Sequence, residues 1–325
     1  MSPKDARADG TPDLLVRLGP LSLANPVLTA SGTFGYGEVC APYMDASRLG
    51  GIVLKTITPE PRIGNPPPRV AEIPGGMLNS IGLQNPGLKG FREKIAPTLR
   101  ALGAPVVVSI AGDTEAEYGK MAEGIADVDA VAAVELNISC PNVEKGGLEF
   151  GTDPRSAGRI VALVRKACPF PVIAKLSPLV TDIGDMALAA EDNGAHALCV
   201  VNTLPGLLVD WRRRRPFLGA GFGGLSGPAL KPLALRQVHA VFARSSLPIM
   251  GVGGIMTGDD ALEFIVAGAT AVQVGTATYV DPAAPVRVLD EMTEALRKEG
   301  IASVASLVGT LSLEPDRHGK PDSRR

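Results

Sequence analysis

The sequence predicts an α/β protein, a single-domain (β/α)8 TIM barrel with its active site at the C-terminal ends of the strands, and three observations carry that expectation. Eight short apolar runs recur along the chain, near residues 26–30, 51–56, 105–110, 131–138, 171–176, 197–202, 248–252 and 271–275. Between several of them apolar residues fall at helical spacing, as in Ile160, Leu163, Val164 and Ala167, with Cys168 extending that stripe, and again in Leu262, Ile265, Val266 and Ala269. The runs also end in polar residues or glycine, which is where a parallel barrel keeps its chemistry. Eight strand-helix units outnumber those of most open doubly wound sheets, and no GxGxxG follows the first run.

Taken in order, run one ends at Ser31 and run two at Lys55 and Thr56. Run three follows Pro105 and reads Val-Val-Val-Ser-Ile. Run four, Val-Ala-Ala-Val-Glu-Leu, reads as a strand buried on both faces; Pro141 ends its pairing and leaves Asn137, Cys140 and Asn142 where strand becomes loop. Run five holds Lys175 inside an apolar strand, where an ammonium is costly unless it meets an anion or the polar end of the barrel. Run six passes the core position Cys199 and ends at Asn202 and Thr203. Runs seven and eight end in Gly251-Val252-Gly253-Gly254 and Gly275-Thr276, where bare backbone amides replace side chains.

With 325 residues and 45% apolar content the chain can bury a barrel-sized core. Residues 1–12 and 314–325 read as flexible charged tails around a barrel spanning 13–313. A net charge of −2 and a pI near 6.0 argue against nucleic acid as a partner. Cys40, Cys140, Cys168 and Cys199 form no CxxC pair, so neither a metal site nor an iron–sulfur cluster is expected, and the thiols suit a reducing cytoplasm. No apolar run approaches the ~20 residues that span a bilayer, so no membrane association is expected.

Glycine after run seven with a helix starting near Thr257, and a second Gly-Thr after run eight, is the arrangement by which barrels bind phosphate through backbone N–H groups. Ser226 and Gly227 extend the same cradle. Lys175 fits either a Schiff-base lysine or a fixed cation beside a flavin, and Lys55 raises the same question. The amide-rich segment 77–87, with Asn137, Asn142 and Asn202, suits a ring bearing both N–H and C=O groups. Cys140 lacks an apolar setting and reads as a reactive thiol, a packed cysteine being the alternative. Trp211 with Arg212 to Arg215 reads as a solvated charged loop. His196 and His239 fall away from the expected active face, and His318 does not cluster with them.

These residues, in this order, resemble the class 1 dihydroorotate dehydrogenase family, and within it the class 1B catalytic subunits. The resemblance runs from about residue 14 to 313 and is carried by 30–35 (Ala-Ser-Gly-Thr-Phe-Gly), Lys55-Thr56, 79–87 (Asn-Ser-Ile-Gly-Leu-Gln-Asn-Pro-Gly), 137–142 (Asn-Ile-Ser-Cys-Pro-Asn), 174–176, 201–203, 223–228, 251–255 and 274–276. It implies one FMN per chain, held by Ser31, Lys55, Thr56, Asn137, Lys175, Val201, Gly227, Gly253, Gly254, Gly275 and Thr276. It implies dihydroorotate contacts from Lys55, Asn79, Ser80, Ile81, Gly82, Leu83, Asn137, Asn202 and Thr203. The implied reaction is oxidation of (S)-dihydroorotate to orotate in pyrimidine (UMP) biosynthesis, with the C5 proton taken by Cys140 and the C6 hydride by FMN.

Electrons then pass to NAD+ through a partner subunit carrying FAD and a 2Fe-2S cluster, in a heterotetramer of two catalytic and two electron-transfer chains built on a catalytic homodimer. The nearest alternative is the class 1A enzyme, a homodimer that reduces fumarate; the segment 80–87 favours 1B. A Schiff-base aldolase with Lys175 as nucleophile and a non-catalytic flavin-binding barrel are remoter readings. The chain departs from the family pattern at Ser109, where Asn is common as a flavin ligand.

Overall fold

Eight parallel strands, each nearly continuous in apolar residues, pair in one sheet of the computed structural model, which describes residues 11–38, 42–138 and 150–313. In chain order they are β1 (Val27–Thr29), β2 (Ile52–Val53), β3 (Val106–Ile110), β4 (Val131–Asn137), β5 (Val172–Lys175), β6 (Ala197–Val200), β7 (Ile249–Val252) and β8 (Ala271–Val274). From β2 to β8 each pairs with its successor, and β8 returns to β1. All eight strands fall inside the runs expected from sequence. Covered on both faces, they need no polar alternation.

The seam between β1 and β2 closes the cylinder. Leu28 and Gly51 form a parallel bridge, and the Gly50 N–H donates to the Val27 carbonyl at 2.9 Å. Side chains complete the seam: the Val53 N–H donates to Thr29 Oγ1 (3.0 Å), whose hydroxyl donates to the Val53 carbonyl (3.3 Å). Buried Asn25 accepts from the N–H groups of Val27 (3.1 Å) and Gly50 (2.9 Å) and donates to the Arg48 carbonyl (2.8 Å). An antiparallel hairpin, Val16–Leu18 with Leu21–Leu23, packs at the opposite end of the barrel from the site, its Gly19 against His196 at the start of β6.

The helical layer is less regular than an alternation of eight strands and eight helices. Between β1 and β2 the described residues hold only the short turn Ala46–Arg48. Between β2 and β3 the helix changes pitch through Gly87–Gly90, Phe91–Ile95 and Ala96–Leu102, where Pro97 has no N–H to offer an α-helical ladder. Three of the later helices begin at side-chain caps: Thr114 for Glu115–Ile125, Asp153 for Pro154–Ala167 and Asp182 for Ile183–Asp192. In Pro154–Ala167 the buried stripe is Ala157, Ile160, Val161 and Val164, with Cys168 buried just beyond it; Leu163, expected inside, is exposed.

A four-stranded antiparallel sheet stands over the C-terminal rim. It joins Val70–Ile73 and Gly76–Asn79, inserted after β2, to Leu204–Gly206 and Gly223–Ser226, inserted after β6. The segment Trp211 to Arg215 is the turn of a small ribbon, Val209–Asp210 with Arg215–Pro216; Trp211 is exposed and carries the Arg212 guanidinium 4.5 Å from its ring centre. Among the described residues no helix is long and apolar enough to cross a membrane, and no group of histidine, cysteine and carboxylate side chains could hold a metal ion. The expected tails lie outside the described residues, apart from Thr11 and Pro12.

Asn25→Ala removes three hydrogen bonds at the closing seam, two of them buried, and leaves the Gly50 and Val27 N–H groups without that acceptor. It is expected to lower unfolding free energy by about 2–4 kcal/mol, read as a shift of the urea midpoint at unchanged slope.

Candidate active site

Strand ends β1, β2, β4, β5 and β6, the loops after β7 and β8, and the four-stranded sheet above them enclose a cavity of about 1120 Å³, its mouth included. Seven of the expected side chains line it together: Ser31, Lys55, Thr56, Asn137, Lys175, Asn202 and Thr203. Val201, Gly227, Gly253, Gly254, Gly275 and Thr276 line it as well.

The floor is built on hydroxyls. Thr56 Oγ1 is a hub, 3.1 Å from Ser31 Oγ and 2.9 Å from Ser109 Oγ, and it accepts from Asn137 Nδ2 at 3.1 Å. Tyr118, fully buried on its helix, donates its hydroxyl to the Asn137 carbonyl (2.9 Å) and so fixes the end of β4. With Nδ2 engaged, Asn137 Oδ1 is buried with no hydrogen-bond partner, which leaves an acceptor directed at a ligand donor. Ser109 is fully buried behind Thr56 and does not line the cavity, so its hydroxyl completes the floor from below.

Lys175 is only 5% exposed. Its ammonium lies 3.6 Å from Glu135 Oε1, a carboxylate with no exposure at all. Gln273 Nε2 donates to the other oxygen of Glu135 at 2.7 Å. The anion that a lysine in this strand requires is therefore in the barrel interior, two residues before Asn137. Glu135 was visible in sequence as the one charged residue of an apolar run, yet its partner on β5 was not. Burial, reinforced by the Glu135 charge, pushes the Cys199 thiol well up, so that sulfur is inert.

On the opposite wall the loops after β7 and β8, and the turn that follows Gly223–Ser226 in the β6 insertion, offer backbone. Gly227, Gly253 and Gly254 have φ of +91°, +132° and +80°. A Cβ on Gly254 would lie 2.8 Å from the Gly227 carbonyl oxygen, so the close approach of the two loops requires glycine there. Thr276 Oγ1 donates to Ser226 Oγ (2.8 Å) and ties these loops together. The helix Gly258–Ala267 does start at Thr257, but it supplies its own anion. Asp260 accepts from the N–H groups of Met256 (2.8 Å) and Thr257 (2.9 Å) and is paired with Lys231 at 2.6 Å. Any phosphate here meets loop amides rather than that helix end. The cradle suits the phosphate of a flavin nucleotide, and the polar floor suits its ring.

In the stretch above the floor, Asn79, Ile81 and Leu83 line the cavity. Ser80 and Gly82 turn away, Ser80 Oγ accepting from Asn65 and a Cβ on Gly82 striking Asn65. Leu83 adopts φ +52°, strained for a branched residue and typical of a segment shaped for a ligand. The Asn202 side chain accepts from the Thr203 N–H at 2.8 Å. Sequence reasoning missed Tyr279, whose hydroxyl donates to the Gly32 carbonyl (3.2 Å) at the mouth, and the apolar lining of Met77, Leu230 and Met256. Cys140 and Asn142 lie outside the described residues, as do Cys40 and His318. His196 Nδ1 accepts from the Val172 N–H at the far end of the barrel, and His239 lies on the outer helix Lys231–Phe242.

A (β/α)8 barrel whose cavity gathers a glycine cradle, two lysines and a row of amides has the form of a barrel enzyme with room for a phosphorylated ligand. The comparisons narrow it: the chain belongs to the dihydroorotate dehydrogenase family, whose sequence profile matches residues 14–296, and enzymes of this family are flavin-dependent. It is 51% identical over 302 residues to a protein of Geotalea uraniireducens named dihydroorotate dehydrogenase B (NAD(+)), catalytic subunit, covering 93% of this chain and 99% of the relative. A protein of the same name from Geobacter sulfurreducens is 52% identical over the same shares, and one from Desulforudis audaxviator is 52% identical over 90% and 96%.

Thr56→Val removes the hub that serves Ser31, Ser109 and Asn137. It is expected to destabilise the fold by about 2 kcal/mol through polar atoms left unpaired and to weaken flavin retention, read by thermal unfolding and by flavin content after gel filtration.

Proposed function

We propose that this chain oxidises (S)-dihydroorotate to orotate, with FMN seated in the cavity and dihydroorotate between it and the antiparallel sheet. The observation that carries this reading is the convergence, in a member of this family, of Lys55, Lys175, Asn137 and the glycine loops after β7 and β8 on one cavity. When bound, FMN supplies the acceptor for the C6 hydride.

Everything else is done by the chain. The amides of Gly227, Gly253, Gly254, Gly275 and Thr276 hold the phosphate, and Ser31, Thr56, Asn137, Lys175 and Val201 serve the rest of the cofactor. Lys55 offsets the substrate carboxylate. Asn79, Asn137, Asn202 and Thr203 supply the paired donors and acceptors that a dihydropyrimidine ring needs; Ile81 and Leu83 shape its apolar side, while Ser80 and Gly82 hold that stretch in place. Cys140, as thiolate, takes the C5 proton, which is acidified by the neighbouring carbonyl. Lys175, ion-paired and buried, is suited to a fixed positive charge rather than to a nucleophilic amine, which weighs against a Schiff-base reaction.

The names of the relatives support NAD+ rather than fumarate as the final acceptor, and a partner subunit to reach it. We assign FAD and the 2Fe-2S cluster to that partner, in an assembly of two chains of each kind around a catalytic homodimer. Cys168 and Cys199, buried on separate elements and unpaired by disulfide, suit a reducing cytoplasm. In this reading residues 13–313 are the catalytic barrel and 1–12 and 314–325 its tails.

The purified chain is expected to be yellow with FMN alone and to be bleached by dihydroorotate without oxygen. Cys140→Ala should retain FMN and slow the bleaching ~10²–10⁴-fold near neutral pH, measured by stopped-flow absorbance. A colourless protein that cannot be reconstituted would overturn the cofactor assignment, and an unchanged rate in the variant would overturn the base.

A further inference from the structure

We propose that Glu135 is a positioning residue for the flavin reaction, a carboxylate sealed inside the barrel that holds Lys175 as an ammonium at the cavity floor. The inference rests on the reading that a flavin occupies this cavity, and deepens it. Glu135 is on β4 and Gln273 on β8, both with no exposure, and neither lines the cavity. Glu135 therefore cannot touch a ligand there and can act only through a neighbour. Gln273 holds Oε2 at 2.7 Å, while Oε1, with no hydrogen bond of its own, faces the Lys175 ammonium at 3.6 Å.

Even a paired carboxylate and ammonium in a barrel core are no more stabilising than well-packed apolar side chains of the same volume, so their retention there calls for a use. The groups facing Lys175 define that use. On β6, Cys199 pairs in register with Lys175 and stays a neutral thiol, because burial and then the Glu135 charge push it up. On β4, Asn137 pairs with Lys175 and is uncharged. Lys55 lines the same cavity, and its like charge favours loss of the Lys175 proton. Desolvation acts in the same direction. The Glu135 carboxylate, 3.6 Å from the ammonium, opposes both. It keeps a positive charge in place before the flavin gains electrons, so none has to be recruited during the reaction.

The test is the flavin midpoint potential of the holoenzyme against pH, from ~6 to ~10, below the ordinary lysine value. Wild type, Glu135→Gln, Lys175→Met and the double variant are compared. Wild type should show no titration that Lys175→Met abolishes. Glu135→Gln should acquire an extra one-proton slope as Lys175 begins to lose its proton. Its potential should be raised at the acid end, where the lysine charge is no longer offset, and lowered at the alkaline end. The alkaline displacement corresponds to a roughly tenfold change in the preference for reduced over oxidised flavin, ~30 mV for a two-electron couple. The double variant should lose that slope.

A Glu135→Gln profile parallel to wild type, or an extra slope that persists without Lys175, overturns the proposal. So does a wild-type titration below pH ~10 that disappears in Lys175→Met, a measurement that stands even if Glu135→Gln fails to fold. Wild-type protein that binds no flavin defeats the function reading instead, and the two failures are separate.

Discussion

At the seam between β1 and β2 only one backbone bridge joins the strands, and the side chains of Thr29 and Asn25 carry the rest of the pairing. An eight-stranded cylinder has no free edges once this contact is made, and the position of every strand end around the rim then follows from register. Ser31 and Thr56, which follow the two seam strands, meet at 3.1 Å because the seam holds. Asn137 is tied to the same hub from the far side of the sheet, so the seam and the polar floor of the cavity are one mechanical unit.

Around this rim the work divides by strand. From β1, β2, β4, β5 and β6 the cavity receives hydroxyl, ammonium and amide groups, and after β7 and β8 it receives glycine backbone, with the side chains of Met256 and Tyr279 beside it. The division suits a ligand with a polar ring at one end and an anion at the other. The antiparallel sheet adds a second layer, and because its strands come from two separate insertions, Asn79 at the head of the stretch 79–83 is held by Gly223–Ser226 as well as by its own hairpin. Asn79 Nδ2 donates to the Gly224 carbonyl (3.3 Å) across that junction.

The eight strands were legible because burial on both faces imposes an unbroken apolar run, and a polar or glycine terminus marks the end that faces the site. The same pattern located Lys55, Lys175, Asn137 and both glycine loops. Helices were legible where one face packs on the barrel, and were misread where the chain has other means of return, as with the turn Ala46–Arg48 and the mixed-pitch segment around Pro97. What sequence could not show was pairing across the interior. Glu135, Lys175 and Gln273 are far apart in the chain and meet only because alternate residues of β4, β5 and β8 point inward. Ser109 was read as a departure at a ligand position, but its hydroxyl is spent on Thr56. Ser80 and Gly82 likewise turn away from the cavity because their loop packs on Asn65, a contact between segments that the sequence does not reveal.

The helix after β7 begins with its own negative group. Asp260 satisfies the first amides of that turn and is neutralised in part by Lys231, so the ground beneath the glycine cradle is electrostatically settled without a guest. A turn of this kind has no open positive pole that would collapse onto a stray anion or fray while vacant. The start of this helix is thus anchored by the chain's own carboxylate and ammonium, and the glycine wall beside it needs no bound anion to steady it.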